Sequence, residues 1–250
     1  MHRYLRFVFA ISVAAMLVWP GLAREQKAQT PEQVVAQARW YGQAAMRFVL
    51  DGKVVYIDPY RLTEQDSADI ILITHSHRDH LSPVDIAKIL RKETILIVPL
   101  SCKKEVSGIA AGQKIYCQAG EEKQIGAIRI QAVPAYNRQE RFHPRQNEWL
   151  GFVLTAGGVR IYHAGDTDRI PEMKNITCDV ACLPLGQTYT MRSVEDAAAA
   201  ALDTKAKIAI PMHYGLAEGS PEDAQKFKKI LEGKVDVVIL RDENAEKSHR

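Results

Sequence analysis

The sequence lacks several features that would place it in a common functional class. Its 33 Lys and Arg nearly balance its 30 Asp and Glu, and no basic stripe stands out. Nucleic-acid-binding domains usually show clustered basic residues, so that class is not expected. No G-x-S-x-G motif indicates a serine nucleophile, and no C-x-x-C pair indicates a cysteine zinc site. No linker rich in Pro, Gly or Ser divides the chain, so we expect one domain.

Long apolar runs are also scarce, apart from a short one at the N-terminus. The uncharged, mostly apolar residues 7–19 follow two arginines and precede small residues at Gly21 and Ala23. This order is typical of a secretory signal peptide, residues 1–23, cleaved after Ala23. The run is shorter than the roughly 20 residues of a bilayer span, so an uncleaved membrane anchor is the less favoured alternative. We therefore expect residues 24–250 to form a single exported domain, periplasmic or secreted, without a stable membrane span.

The cysteines are few but even in number, and they are Cys102, Cys117, Cys178 and Cys182. An exported protein meets an oxidising compartment, so a disulfide such as Cys102–Cys117 is one interpretation. Cys117 and Cys182 nevertheless lie in apolar segments, where free cysteine behaves as a small hydrophobic residue. The sequence favours free thiols and leaves the disulfide status open.

The pattern of apolar runs predicts an α/β fold. Two hairpins are expected to turn at Asp51-Gly52 and Gly157-Gly158, and apolar strands alternate with helices after each of them. Residues 101–130 suggest a small helix followed by short strands, and residues 234–240 a final strand. Helix starts are expected at Thr30, Ser82, Ser193 and Ser220. Strands this apolar need burial on both faces, which two face-to-face sheets with helices on their outer faces provide.

A histidine-rich motif, "THSHRDH", follows one of these apolar strands. It places His75, His77, Asp79 and His80 within six positions of a chain that has only eight histidines. Imidazole and carboxylate groups are ligands for zinc, manganese or iron. Such a cluster is too dense for chance surface histidines, so the motif predicts a metal site that more than one cation can share.

A site of this kind needs further ligands from other strand ends. Candidates are His143 in "RFHPR", His163 and Asp166 in "YHAGDTD", and His213 in "IPMHYG". Asp166 follows a glycine at the end of an apolar strand, where a carboxylate can bridge two metals. His213 ends its strand in the same way that His75 does.

The segments "THSHRDH", "HAGDT" and "PMHYG" resemble the metallo-β-lactamase superfamily of dinuclear metallohydrolases. The resemblance is closest to hydrolases related to ascorbate-phosphate lactonase and extends over about residues 36–240. It implies a four-layer αββα sandwich with the site at the edge between the sheets. It also implies a small-molecule substrate and two divalent metal ions, with zinc favoured over manganese or iron. The balanced charge, in turn, gives no sign of a nucleic-acid partner.

The resemblance also implies the ligand sets. His75, His77 and a later histidine would hold one metal, Asp79, His80 and His213 the second, and Asp166 would bridge them. The chain has Tyr136 and Asn137 where relatives often carry the later histidine. His143, just beyond, is preferred for this place, and His163 is the alternative.

Two further positions are compared with the superfamily pattern. Relatives commonly read Trp-x-Gly-His where this chain has Gln43, which leaves the role of that side chain open. Asp58 in "YIDP" resembles a recurring acid that orients a ligating imidazole, although a simple turn residue before Pro59 is an equal alternative.

The expected chemistry is hydrolysis of an ester, lactone or phosphodiester by metal-bound hydroxide, with Asp79 as the proton acceptor. Tyr189 is the candidate substrate contact, and arginines in the neighbouring loops can hold a phosphate or carboxylate. The alternatives are a nuclease or phosphodiesterase of the same superfamily and a non-catalytic metal-binding protein of the same fold. The sequence does not identify the substrate or the oligomeric state.

Overall fold

The computed structural model describes residues 28–63, 66–139 and 141–245, so the predicted signal peptide lies outside the described residues. Within them the helices are α1 (Pro31–Ala36), α2 (Pro83–Ile89), α3 (Val194–Asp203) and α4 (Pro221–Leu231). The strands are β1 (Arg39–Trp40), β2 (Met46–Leu50), β3 (Lys53–Ile57), β4 (Ile70–Leu72), β5 (Ile95–Pro99), β6 (Gln113–Cys117), β7 (Glu122–Ile125), β8 (Ile128–Pro134), β9 (Leu150–Ala156), β10 (Val159–His163), β11 (Val180–Pro184), β12 (Ile208–Met212) and β13 (Asp236–Val237).

The first sheet has six strands in the order β1-β2-β3-β4-β5-β6. β1 to β3 pair antiparallel, and β3 to β6 pair parallel. Asp51 and Gly52 turn between β2 and β3 with φ of 49° and 73°. Two residues with positive φ are what a tight hairpin turn with the right twist requires. The predicted first hairpin is confirmed.

The second sheet has seven strands in the order β13-β12-β11-β10-β9-β8-β7. β7 to β10 are antiparallel, and β10 to β13 are parallel. The predicted hairpin at Gly157-Gly158 joins β9 to β10. The carboxyl ends of parallel strands meet at one edge of a sheet, so the loops after β10, β11 and β12 lie together there.

The first sheet is buried on both faces. Ile70 and Leu72 of β4 join a core cluster that also contains second-sheet residues such as Phe152. Ile71, on the opposite face of the same strand, joins a separate cluster with Ile86 of α2. On the second sheet α3 packs against β11, and α4 packs against α3 and β13. The result is the predicted four-layer αββα sandwich.

The four predicted helix starts are confirmed, because each N-cap side chain accepts a hydrogen bond from the backbone N–H three residues later. The caps are Thr30, Ser82, Ser193 and Ser220. None of the helices in the described ranges is both long enough and apolar enough to cross a bilayer.

Two elements differ from the sequence-based expectation. The small helix expected after residue 101 is only a 3₁₀ turn, Leu100–Cys102, without a side-chain cap at its start. The last strand is Asp236–Val237 rather than residues 234–240, because this edge strand pairs only with β12. Neither difference touches the site. All four cysteines are buried free thiols, so no Cys102–Cys117 disulfide is present.

Candidate metal centre

The histidine-rich motif forms the loop between β4 and α2. Within this loop the His77 carbonyl accepts hydrogen bonds from the backbone N–H groups of His80, at 3.0 Å, and Leu81, at 2.8 Å. His75 and His80 are buried, Asp79 is half-buried and His77 is exposed. The turn reverses the chain after His77, which brings the second half of the motif back towards the first.

The loop contributes to three clusters of potential ligand atoms; one of them, Asp58, His75 and His80, shares its histidines with the other two. In each cluster, three side chains place one N or O atom apiece within 4.8 Å of one another. The first cluster comprises His75, His77 and His143, and the second comprises Asp79, His80 and His213. These are the two groupings that the sequence predicted, although their assignment as metal ligands stays a prediction.

Asp166 lies between the two clusters, on the loop that follows β10. Its Oδ2 is 3.9 Å from His75 Nε2 and 3.3 Å from His143 Nε2 in the first cluster. The same oxygen is 3.2 Å from His80 Nε2 and 3.1 Å from His213 Nε2 in the second. One carboxylate oxygen therefore faces imidazole nitrogens of both clusters.

The two candidates for the later histidine occupy different places. His143 belongs to the first cluster, and its Nδ1 lies 3.0 Å from both the Asn137 Oδ1 and the Tyr189 carbonyl oxygen. His163 lies apart, with Nε2 2.9 Å from the Ala44 carbonyl oxygen and Nδ1 accepting from the Gly165 N–H. Both ring nitrogens of His163 are thus engaged with backbone, which leaves His143 as the candidate that the site brings together.

Asp58 contacts an imidazole of the second cluster. Its Oδ2 lies 2.8 Å from His80 Nδ1 and accepts a hydrogen bond from the Thr74 hydroxyl. Its Oδ1 accepts from the Thr74 N–H at 2.7 Å. A buried carboxylate on Nδ1 favours the tautomer that leaves Nε2 free for a metal. Asp58 is therefore placed to orient His80.

Glu218 is placed to orient His213, as Asp58 is placed to orient His80. The sequence analysis did not identify Glu218. Its side chain is 2% exposed, and Oε1 lies 2.9 Å from His213 Nδ1. Oε2 accepts hydrogen bonds from the backbone N–H groups of Thr188 and Tyr189. Glu218 thereby connects His213 to the loop after β11. The sequence signal for Glu218 was an acidic residue between two glycines, Gly215 and Gly219. In the structure both glycines have positive φ, and the chain folds back there.

Gln43 also joins the site. Its side-chain Nε2 donates to Asp79 Oδ2 at 2.8 Å and lies 3.4 Å from His213 Nε2. Its carbonyl accepts from the His213 N–H, and its backbone has φ of 46°. The glutamine that replaces the expected histidine thus contacts Asp79.

Tyr189 and Trp149 form part of the surroundings of the clusters. The Trp149 ring packs 4.8 Å from the rings of both His75 and His77. Tyr189 lines a cavity of about 270 Å³ together with His77, His143, Asp79, His213, Asp166 and other residues. The predicted substrate contact therefore faces the same opening as the ligand clusters.

The electrostatics of the site centre on Asp166. Burial alone would raise the pKa of Asp166, but His213 and His80 outweigh it and hold this pKa well below its usual range. Burial disfavours charge on His80, but Asp166 and Asp58 raise its pKa well above the usual value. For His213, burial is outweighed by Asp166 and Glu218, which raise its pKa to about 10. Burial has the largest effect on the pKa of His75 and lowers it well below its usual value. The site is built around a buried negative charge.

The donor set fits divalent cations. Among the described residues, five buried side-chain atoms of the site have no hydrogen-bond partner: His80 Nε2, His143 Nε2, His213 Nδ1, Asp166 Oδ1 and Gln43 Oε1. The three imidazole nitrogens lie 2.9–3.3 Å from carboxylate oxygens, at ion-pair distance. Buried polar atoms normally have partners, so several such atoms at one place indicate a missing partner. Imidazole nitrogens and a carboxylate oxygen are the ligands that zinc, manganese and iron take.

Known proteins are similar to this chain in both sequence and fold. Residues 37–213 match the beta-lactamase superfamily domain. A UPF0173 metal-dependent hydrolase from Archaeoglobus fulgidus is 36% identical over 227 residues, covering 81% of this chain and 94% of the relative. Another, MK1542 from Methanopyrus kandleri, is 32% identical over 226 residues, covering 80% and 95%.

Solved structures agree. The crystal structure of a protein from Parabacteroides distasonis matches this chain with a TM-score of 0.71 at 34% identity. The match covers 81% of this chain and 91% of that one. Igni18, a metallo hydrolase from Ignicoccus hospitalis, has a TM-score of 0.69 at 23% identity, covering 82% and 94%, and shows the shared fold. The chain therefore belongs to the beta-lactamase superfamily and is a metal-dependent hydrolase related to the UPF0173 proteins.

Proposed function

We propose that the protein binds two divalent cations and hydrolyses an ester, lactone or phosphodiester bond of a small molecule. Zinc is the favoured metal, with manganese and iron as alternatives. One observation carries the proposal: a single oxygen of Asp166 lies within 3.1–3.9 Å of ring nitrogens from both ligand clusters. A carboxylate oxygen between two three-ligand clusters is suited to a site that binds two cations.

The proposed ligands follow the two clusters. His75, His77 and His143 would hold one cation, and Asp79, His80 and His213 would hold the other. Asp166 would bridge them. Asp58 and Glu218 would keep His80 and His213 in the tautomer with Nε2 free, through their contacts to the two Nδ1 atoms.

Two bound cations would polarise a carbonyl or phosphoryl oxygen of the substrate and bring the pKa of water towards neutrality. Asp79 is the proton acceptor in our proposal. Burial would raise the pKa of Asp79, but His80 and the Gln43 hydrogen bond outweigh it and keep the pKa below normal. It is therefore a carboxylate at neutral pH. Among the described residues its hydrogen bond uses Oδ2, so Oδ1 remains available to take a proton.

The size of the opening supports a small substrate. The cavity of about 270 Å³ is lined by proposed ligand side chains and by Phe142, Tyr189 and Ala217. Its volume is close to that of pockets that bind small molecules. Tyr189 is the proposed substrate contact at the apolar wall.

The test is hydrolysis of an aryl ester, a lactone and a phosphodiester by the purified protein before chelation, after chelation and after zinc is restored. Turnover should fall on chelation and return with zinc. Asp79→Asn should lose about 100-fold or more in kcat, since positioned general bases contribute that much. Asp236→Asn, an exposed acid on the edge strand β13, is the matched control. Turnover that survives chelation, or an Asp79→Asn enzyme equal to wild type, would refute the proposal.

We also propose export of a single mature domain, residues 24–250, on the basis of the N-terminal sequence pattern. The N-terminus of the protein recovered from the producing cell, read by mass spectrometry, tests this. A chain beginning at Arg24 is expected, and an intact Met1 on a membrane-bound protein would favour the anchor instead.

A further inference from the structure

A second cavity, of about 340 Å³, adjoins the metal pocket and has no part in the chemistry proposed above. It lies between the loop after β8, at residues 137–139 and 141–142, and the loop after β11, at residues 187–192. Phe142 lines both cavities. Its ring meets the Tyr189 ring edge-on, with centroids 4.6 Å apart. This aromatic pair stands where the two cavities meet.

The arginines of these loops differ in what they contact. Arg145 pairs with Glu172 at 3.3 Å and lies over the Tyr136 ring. Arg138 approaches Asp168, with its Nε 4.0 Å from Oδ2. These two guanidinium groups therefore have an acid beside them, and neither lines the second cavity.

Arg141 and Arg192 are different, because both line the second cavity. Neither has an acidic partner among the residues that the structure describes. The Arg141 guanidinium lies over the Phe142 ring, 4.9 Å from its centroid, which holds it beside the aromatic pair. Arg192 stands directly before Ser193, the N-cap of α3, at the opposite loop. Among the described residues, the cavity thus receives two guanidinium groups without an ion-pair partner, one from each loop.

One acidic residue, Asp168, also lines the cavity, so the described lining carries two positive charges and one negative charge. Asp168 is buried, and its carboxylate faces Arg138 and Asn137. Oδ2 accepts a hydrogen bond from the Arg138 N–H at 2.8 Å, and Oδ1 one from the Asn137 side chain at 3.3 Å. Gln139, Gln187 and Thr188 add neutral donors to the lining. The lining as a whole is suited to an anion.

We propose that the second cavity is an anion-binding subsite in which Arg141 and Arg192 hold a phosphate or carboxylate group of the substrate. Guanidinium groups bind such anions through paired, charge-assisted hydrogen bonds. The inference rests on the proposed function and narrows it. The substrate is a small ester, lactone or phosphodiester that carries a second anionic group, with the cleaved bond in the metal pocket and that group beyond Phe142 and Tyr189.

The test measures anion binding apart from hydrolysis. Inorganic phosphate and, separately, glutarate are titrated by calorimetry into the purified metal-free protein, whose fold is checked by circular dichroism. Arg141→Gln and Arg192→Gln should each weaken binding about tenfold, as expected for loss of a charged hydrogen-bond donor. Arg145→Gln, outside this cavity, should bind as wild type does. No binding by wild type, or wild-type affinity in the double variant, would overturn the proposal. A preference for phosphate or for glutarate would identify the anionic group.

A second assay connects the subsite to catalysis. The zinc-loaded protein is given two aryl esters that differ only in a neutral or a carboxylate tail. Arg192→Gln should raise KM about tenfold for the acidic ester and leave KM for the neutral ester unchanged. An equal effect on both esters would contradict a subsite for the tail. If hydrolysis proves independent of metal while the metal-free protein still binds the anions, the two-metal proposal fails and the subsite stands.

Discussion

Replacing Glu218 with glutamine is expected to weaken metal binding while leaving the overall fold in place. Glu218 Oε2 accepts two backbone N–H groups, and Oε1 accepts from the Thr190 hydroxyl and lies 2.9 Å from His213 Nδ1. In Glu218→Gln the amide oxygen can keep the two backbone donors. The amide NH₂ group then faces His213 Nδ1. Two donors cannot share that contact, so His213 must turn or move its proton to Nε2, where a metal ligand needs a lone pair.

The magnitude follows from this contact. Groups that orient a metal-ligating histidine typically contribute 10–100-fold to metal affinity, so we expect Glu218→Gln to lose about that much. The fold should lose about 1.5–3 kcal/mol of unfolding free energy, because the charged contact with His213 disappears from a side chain only 2% exposed. The pKa of Glu218 agrees with a carboxylate: burial would raise it, but the His213 contact outweighs burial and holds the pKa below normal.

The assay is competition for zinc against a chromophoric chelator, with urea unfolding of the metal-free protein as the measure of stability. Glu195→Gln is the matched control, since Glu195 pairs with Lys226 on the surface at 2.8 Å and is not in the site. It should behave as wild type in both measurements. A Glu218→Gln protein that binds zinc within about threefold of wild type would refute the positioning role, even if its stability fell.

Three further outcomes are expected. Asp58→Asn should also lose about 10–100-fold in zinc affinity in the competition assay, because His80 Nδ1 loses its carboxylate; unchanged affinity would contradict this. Gly186→Ala should cost about 1–3 kcal/mol in urea unfolding, because its Cβ would overlap the fixed Glu218 carboxylate. Gly108→Ala, with nothing within 4 Å of the new Cβ, is the control, and equal stability of the two variants would sink the packing argument. The four cysteines should resist thiol reagents at pH 8 until the protein is denatured, since burial raises the pKa of every thiol, and should then all react without reductant. Two reactive thiols instead of four in the denatured protein would indicate a disulfide.

Local signals in the sequence were sufficient for most of the fold. The turn at Asp51-Gly52 needs positive φ at both residues, and the caps at Ser82 and Ser193 need one side-chain oxygen each, so each feature is determined within a few residues. The length of β13 was overestimated because it depends on pairing with β12, its neighbour among the described strands, and the sequence pattern alone does not reveal that pairing.

The site was predictable where ligands are dense or end a strand, as in the motif from His75 to His80. Glu218 was not, because its role depends on a chain reversal between Gly215 and Gly219 that places its carboxylate on His213 from the side. The choice between His143 and His163 also required tertiary structure. Both ring nitrogens of His163 contact backbone groups, one of them the carbonyl of Ala44, which is distant in sequence, whereas His143 Nε2 faces Asp166.

The most direct test of the two-metal proposal is the metal content per chain of protein purified without chelator, measured by mass spectrometry for wild type and His77→Ala. His77 is exposed, so its loss should leave the fold intact while removing one member of the first cluster. We predict about two metal ions per wild-type chain and about one in the variant. One metal ion or none in wild type, even after zinc or manganese is added back, would contradict the two-metal site.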